Sequence, residues 1–133
     1  VLIGGMCPDC FKAIIPLSPA ICIPEGARQG FLLGSSFDAH NIPDVLKSWN
    51  LELSGDYVRV AQTIHVEEEI ARYKGPVLII HGDADEAVPY ADSVKAQKLY
   101  KNAKLVTIEG DDHCFTKHVD KMAQAIKDFF KTL

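Results

Sequence analysis

Two short runs hold the residue types of proton-transfer chemistry. One is His81-Gly82-Asp83-Ala84-Asp85-Glu86-Ala87-Val88-Pro89 and the other Gly110-Asp111-Asp112-His113-Cys114-Phe115. Each follows a compact apolar or β-branched run, Pro76 to Ile80 and Lys104 to Ile108 respectively. In an open parallel sheet the loops at the carboxyl ends of the strands converge on one crevice. Sheet adjacency, rather than nearness along the chain, would therefore bring His113 beside Asp85. A neutral imidazole takes a proton from a hydroxyl near neutral pH and returns it to a leaving group. A carboxylate accepting the other ring N–H fixes the tautomer and stabilises the imidazolium as it forms. Asp85 as acid and His113 as base are the catalytic candidates, with Asp83 in the same turn competing for the acid's role.

Other reactive side chains have weaker patterns. Cys7-x-x-Cys10 suits a disulfide or a shared metal, but no second such pair follows and Pro8-Asp9 reads as a helix stop. No metal and no cofactor is expected. His40, His65 and His118 have no ligand-like partners nearby, and Glu67-Glu68-Glu69 reads as a solvated helix face. Trp49, the single tryptophan, offers a flat ring for stacking on an aromatic group or an anchor for its own segment. Val88, beside the acid turn, is a candidate pocket wall. Trp49 and Val88 are the substrate-binding candidates.

The elements that must position these residues follow from hydrophobic period and turn signals. Ala13 to Leu17, Pro76 to Ile80 and Lys104 to Ile108 read as strands, the first two with the pattern of strands buried on both faces of a parallel sheet. Tyr90 to Lys101 reads as a helix. Val119 to Phe130 reads as another, with Val119, Met122, Ala123, Ile126, Phe129 and Phe130 on one apolar stripe. Strand, helix, strand, helix predicts an α/β fold with right-handed parallel crossovers. Ala20 to Gly55 is rich in Pro and Gly and lacks a clear period, so 20–55 is expected to be a lid or binding insertion. One or two helices are expected over Asp56 to Arg72, with Val58, Ala61, Ile64 and Ile70 turned inward.

Composition narrows the classes. The 133 residues are 47% hydrophobic, enough for one domain with a real core, and residues 1–133 are read as part of a single one. Fourteen basic against eighteen acidic residues, scattered without blocks, disfavour a nucleic-acid partner. The apolar runs are too short to span a bilayer, so no membrane partner is expected either. Four cysteines in uneven contexts argue against a disulfide framework, and a cytoplasmic setting with reduced thiols is the expectation. The opening Val1-Leu2-Ile3-Gly4-Gly5 reads as an element already under way, so a fragment is expected.

The HGDADEAVP and EGDDHCF turns, separated by one helix and one strand, resemble the acid and histidine turns of the α/β-hydrolase superfamily, whose triad runs Ser, Asp or Glu, His. More narrowly, Ile14-Ile15-Pro16-Leu17-Ser18-Pro19-Ala20, Asn41-Ile42-Pro43-Asp44 and Tyr57-Val58-Arg59-Val60-Ala61-Gln62 resemble bacterial cinnamoyl (feruloyl) esterases. The resemblance implies the C-terminal part of an α/β-hydrolase fold, with Asp85 as triad acid, His113 as triad base and His81 as support for the acid loop. It implies no cofactor and a small-molecule ester substrate with an aromatic acyl group. The missing N-terminal half of the domain would be the partner that carries the serine, since no G-x-S-x-G occurs here. On that reading this chain alone is inactive. A peptidase or lipase-like relative, and a non-catalytic binding module, are the alternatives.

Overall fold

The computed structural model describes residues 1–48 and 51–133, and these fall into two compact units, one built from Val1–Ile21 with Val66–Leu133 and the other from Cys22–His65. Trp49 lies outside the described residues. The first unit opens with helix α1 (Leu2–Met6) and a single 3₁₀ turn over Pro8–Cys10, where Pro8 occupies the first position that a missing N–H leaves unharmed.

The second unit contains α2 (Ile23–Gln29), the strand pairs β1 (Phe31–Leu32) with β2 (Ser35–Ser36) and β3 (Val45–Ser48) with β4 (Leu51–Ser54), and α3 (Gly55–Thr63). Both pairs are antiparallel. Strands of two and four residues leave too little alternation to be seen in the sequence. Helix α2 ends at Gly30, whose φ of 79° is the left-handed conformation that a helix end favours in glycine. Ser54 caps α3 by accepting the Asp56 amide. Ala27, Leu32, Leu46, Val58 and Ala61 form the buried cluster, and Gln62 Nε2 donates to the carbonyls of Ala27 and Ala39. The expected insertion ended at Gly55, but the compact unit runs to His65 because α3 turns Val58 and Ala61 into this cluster.

The first unit resumes with α4 (Val66–Arg72), β5 (Val77–Gly82), α5 (Tyr90–Leu99), β6 (Ala103–Ile108) and α6 (Val119–Phe130). The two helices expected over Asp56 to Arg72 are thus α3 and α4, in different units. Strands β5 and β6 are parallel, with Val77 opposite Ala103 and Gly82 opposite Ile108. On the other side of β5, Ala13 to Leu17 pairs in parallel through bridges at Ile14↔Val77 and Leu17↔Ile80. Ile14 N donates to Pro76 O, Leu78 N to Ile14 O, Ile80 N to Pro16 O and Ser18 N to Ile80 O. Pro16 has no N–H to give, so this ladder is interrupted where an unbroken strand was expected. Every residue of β5 is buried, as befits the strand between two others, whereas Leu17 is exposed.

Side chains alternate along β5. Leu78 and Ile80 join Ile108 and Phe115 in a cluster covered by Met122, Ala125, Ile126 and Phe129 of α6. The expected stripe on α6 is corrected at its ends, since Val119 and Phe130 are exposed. At 100° per residue Val119 and Phe130 fall within about 20° of each other, on one flank of the face that Met122, Ala125, Ile126 and Phe129 turn to the core. His81 points to the opposite side, where it meets Ser93 of α5.

Where β5 and β6 end, their loops approach at backbone distance. A Cβ on Gly82 would stand 2.3 Å from the Asp111 carbonyl oxygen. The obstacle is backbone and cannot rotate aside, so Gly82→Ala is expected to part the two loops and cost about 1–3 kcal/mol. Equilibrium denaturation of the purified variant checks this, and an unshifted midpoint would contradict the close approach.

Candidate active site

The acid turn is built around the Asp85 carboxylate, whose side chain is fully shielded. Its Oδ1 accepts the amides of Ala87 at 2.8 Å and Val88 at 2.9 Å, so the turn wraps its own aspartate. Its Oδ2 faces two imidazole nitrogens, His113 Nδ1 at 2.8 Å and His81 Nε2 at 2.9 Å. Burial alone pushes the Asp85 carboxyl up. The Val88 amide, the hydrogen bond from His113, the Ala87 amide and the charge of His113 outweigh it and hold the group at about 2.

The histidine turn is held by aspartates of its own. Asp111 is buried and accepts the amides of Asp112, Lys117 and His118 at 3.0, 3.1 and 2.9 Å. Burial raises its carboxyl, and these amides with the nearby His118 ring bring it below the ordinary value. Asp112 Oδ1 accepts the amides of Cys114 and Thr116, and its other oxygen takes the Thr116 hydroxyl. Phe115 adopts φ of 57°, a left-handed conformation that costs a non-glycine residue about 1 kcal/mol. It is kept there by its ring, which is buried in the cluster under α6.

The turns are also tied to each other. Asp83 Oδ1 accepts the Gly110 amide at 2.6 Å, and the Ala84 amide donates to the Asp111 carbonyl at 3.0 Å. Asp83 therefore links the loops, in keeping with an organising role rather than the acid's. The result is a half-exposed His113 ring over a shielded carboxylate, beside a cleft of about 450 Å³ lined by Glu86, Ala87, His113 and Lys117 among others.

With Nδ1 donating to Asp85, His113 keeps its Nε2 lone pair, which is the arrangement a general base needs. The two candidates read from sequence are thus in direct contact. Val88 sits in the acid turn and serves Asp85 through its backbone, while its side chain is buried. Asp111, Asp112 and Ser93 were not singled out in the sequence. The Asp-Asp pair before the histidine was the available signal for the first two, since short carboxylates bond neighbouring amides. Ser93 had none. Among the described residues no group of three or more His, Cys, Asp or Glu is arranged to hold a metal ion. Cys7 and Cys10 are exposed thiols at either end of the 3₁₀ turn.

Comparison with known proteins agrees with this architecture. A model of the family described as TAP-like protein matches residues 49–133, the span that includes both turns. The chain belongs to this α/β-hydrolase family. Est1E from Butyrivibrio proteoclasticus is similar to this α/β hydrolase at 55% identity and a TM-score of 0.96, over 98% of this chain and 54% of Est1E. A second structure, with ferulic acid bound to Est1E, superposes with a TM-score of 0.95 over 98% of this chain and 53% of that one. The chain thus spans about half the length of these relatives. The esterase domain of a Rhodothermus marinus protein, 16% identical with a TM-score of 0.66 over 93% of this chain and 51% of its own, shares the fold. No curated protein matches the sequence. Among the described residues no helix is long and apolar enough to cross a membrane.

The low value at Asp85 ties stability to acidity. Its folded carboxyl titrates at about 2 against an ordinary 3.8, so between these values the unfolded chain binds a proton there that the folded chain does not. The stabilisation is complete above the ordinary value and is lost as pH falls through about 2. Denaturant titrations at a series of acid pH values should show a shallower fall for Asp85→Asn than for the parent. Equal slopes would mean that Asp85 is not held low.

Proposed function

We propose that the protein is a serine carboxylic-ester hydrolase acting on cinnamoyl or feruloyl esters, with Asp85 as triad acid and His113 as triad base. The observation that carries the proposal is the 2.8 Å contact from His113 Nδ1 to a fully shielded Asp85 carboxylate. Est1E, the 55% identical relative, has ferulic acid in one of its structures, which supports an aromatic acyl group.

In this mechanism His113 Nε2 takes the proton of a serine hydroxyl as its oxygen attacks the ester carbonyl. The proton passes to the departing alcohol, leaving an acyl-enzyme. Water then attacks with His113 again as base, releasing the acid and restoring the serine. Asp85 stays ionised throughout, as its low value requires. The serine belongs to a part of the protein outside these 133 residues, because the sequence holds no G-x-S-x-G. The insertion 20–55, with Trp49, is given the task of selecting the acyl part, and Val88 that of an apolar neighbour to the acid. No cofactor enters the chemistry, and the proposed setting is the cytoplasm.

Protein that includes the serine should release ferulate from methyl ferulate. His113→Ala and Asp85→Ala should each lower kcat/KM by about 10³-fold or more. Undiminished turnover by His113→Ala would exclude the mechanism. Preference for peptide amides or long acyl lipids in the same assay would move the assignment to a peptidase or lipase-like enzyme. Absence of a covalent adduct after treatment with a phosphonate serine probe, read by intact mass, would point to a binding module.

A further inference from the structure

One pair of nucleophilic side chains lies outside the hydrolase site. Cys7 and Cys10 stand at the two ends of a single 3₁₀ turn, and both are exposed. The Cys10 amide donates to the Cys7 carbonyl at 3.0 Å, which closes Cys7-Pro8-Asp9-Cys10 into a hydrogen-bonded turn. Such a turn holds its first and last Cα atoms less than about 7 Å apart. The usual Cα separation across a disulfide is about 4.4–6.8 Å, so the turn brings the pair to bridging distance. Pro8 sets the turn in advance, because its ring fixes φ near the value that the second residue of a turn adopts. Both flanks are anchored. In α1, Gly5 packs so closely on α4 that an added Cβ would stand 2.2 Å from the Glu69 carbonyl oxygen. After the turn, the Phe11 carbonyl accepts the hydroxyl of the buried Tyr73 at 3.1 Å.

We propose that Cys7 and Cys10 form a redox-active dithiol that closes to a disulfide by exchange with small-molecule disulfides. A thiolate of the pair attacks one sulfur of the small disulfide, joins it as a mixed disulfide and expels the other half as a thiolate. The second thiolate of the pair then attacks the protein sulfur of that mixed bond and expels the remaining half. The pair loses two electrons and two protons, and the small disulfide gains both to become two thiols. Excess dithiol reverses each step. Solvent access to both cysteines lets a small reagent reach either sulfur, and the anchored turn keeps the second within reach of the first. Exchange fits the pair better than metal binding, since among the described residues no third His, Cys, Asp or Glu joins it in a metal-holding group. In the proposed cytoplasmic setting the pair rests as a dithiol and closes when the pool of small disulfides rises.

The test treats native protein that includes the serine with hydroxyethyl disulfide, blocks the remaining thiols with iodoacetamide, and reads the tryptic peptide ending at Lys12 by mass. That peptide is expected to lose the mass of two hydrogens and take no alkyl group, and to regain both thiols with dithiothreitol. Cys7→Ser and Cys10→Ser should each leave the other cysteine as a mixed disulfide, because the second attack then has no thiol to make it. In a fixed mixture of the small disulfide and its thiol, the ratio of closed to open pair should fall about tenfold when the protein is unfolded in urea, since the turn no longer holds the sulfurs together. At a reagent concentration that fully modifies the serine variants, a native peptide carrying two alkyl groups or two mixed disulfides would overturn the proposal. A closed fraction that urea leaves unchanged would also overturn it, because the folded turn would then contribute nothing. These readouts are masses and do not depend on turnover, so they stand or fall apart from the hydrolase reading.

Discussion

The Asp85 carboxylate is shielded from water and remains ionised because four donors converge on it, two amides on one oxygen and two imidazoles on the other. A buried charge without such partners would be costly enough to take up a proton or pull the loop open. The surrounding architecture serves that requirement. Strand β5 brings the turn to the rim of the sheet, the turn folds its amides onto Oδ1, α5 supplies the serine that completes His81, and the loop after β6 delivers His113.

A half-exposed histidine on a loop would by itself be a poorly aimed base. Here the loop is built around two aspartates and pinned underneath by the Phe115 ring, and Asp83 ties it across to the acid turn. Rigid support below with access above is the combination that proton transfer to a substrate needs, because misplacement of a reacting group by about 1 Å can cost two orders of magnitude in rate. The close approach at Gly82 belongs to the same frame, since any side chain there would wedge the turns apart.

Much of this was readable from residue order. Helix α6 covers Val119–Phe130 as expected, β5 spans Val77–Gly82 against an expected Pro76 to Ile80, and α5 ends at Leu99 rather than Lys101. The catalytic candidates Asp85 and His113 were visible as types placed at strand ends, and they do meet. The interruption at Pro16 and the short strands β1 to β4 were less visible. A ladder depends on which carbonyl lacks its donor, and strands of two to four residues carry almost no period.

Local periodicity, turn chemistry and residue type are written along the chain, so the sequence by itself determined the α/β alternation, the reactive residues and the loops they occupy. What it could not contain was the set of donors around Asp85. Ser93 meets His81 because α5 packs on β5, and His113 reaches Asp85 because β6 pairs with β5 in one particular register. A register shift by a single residue would turn every side chain of β6 to the other face. Tertiary pairing alone therefore decided whether a carboxylate and an imidazole far apart in the chain would be joined by a hydrogen bond.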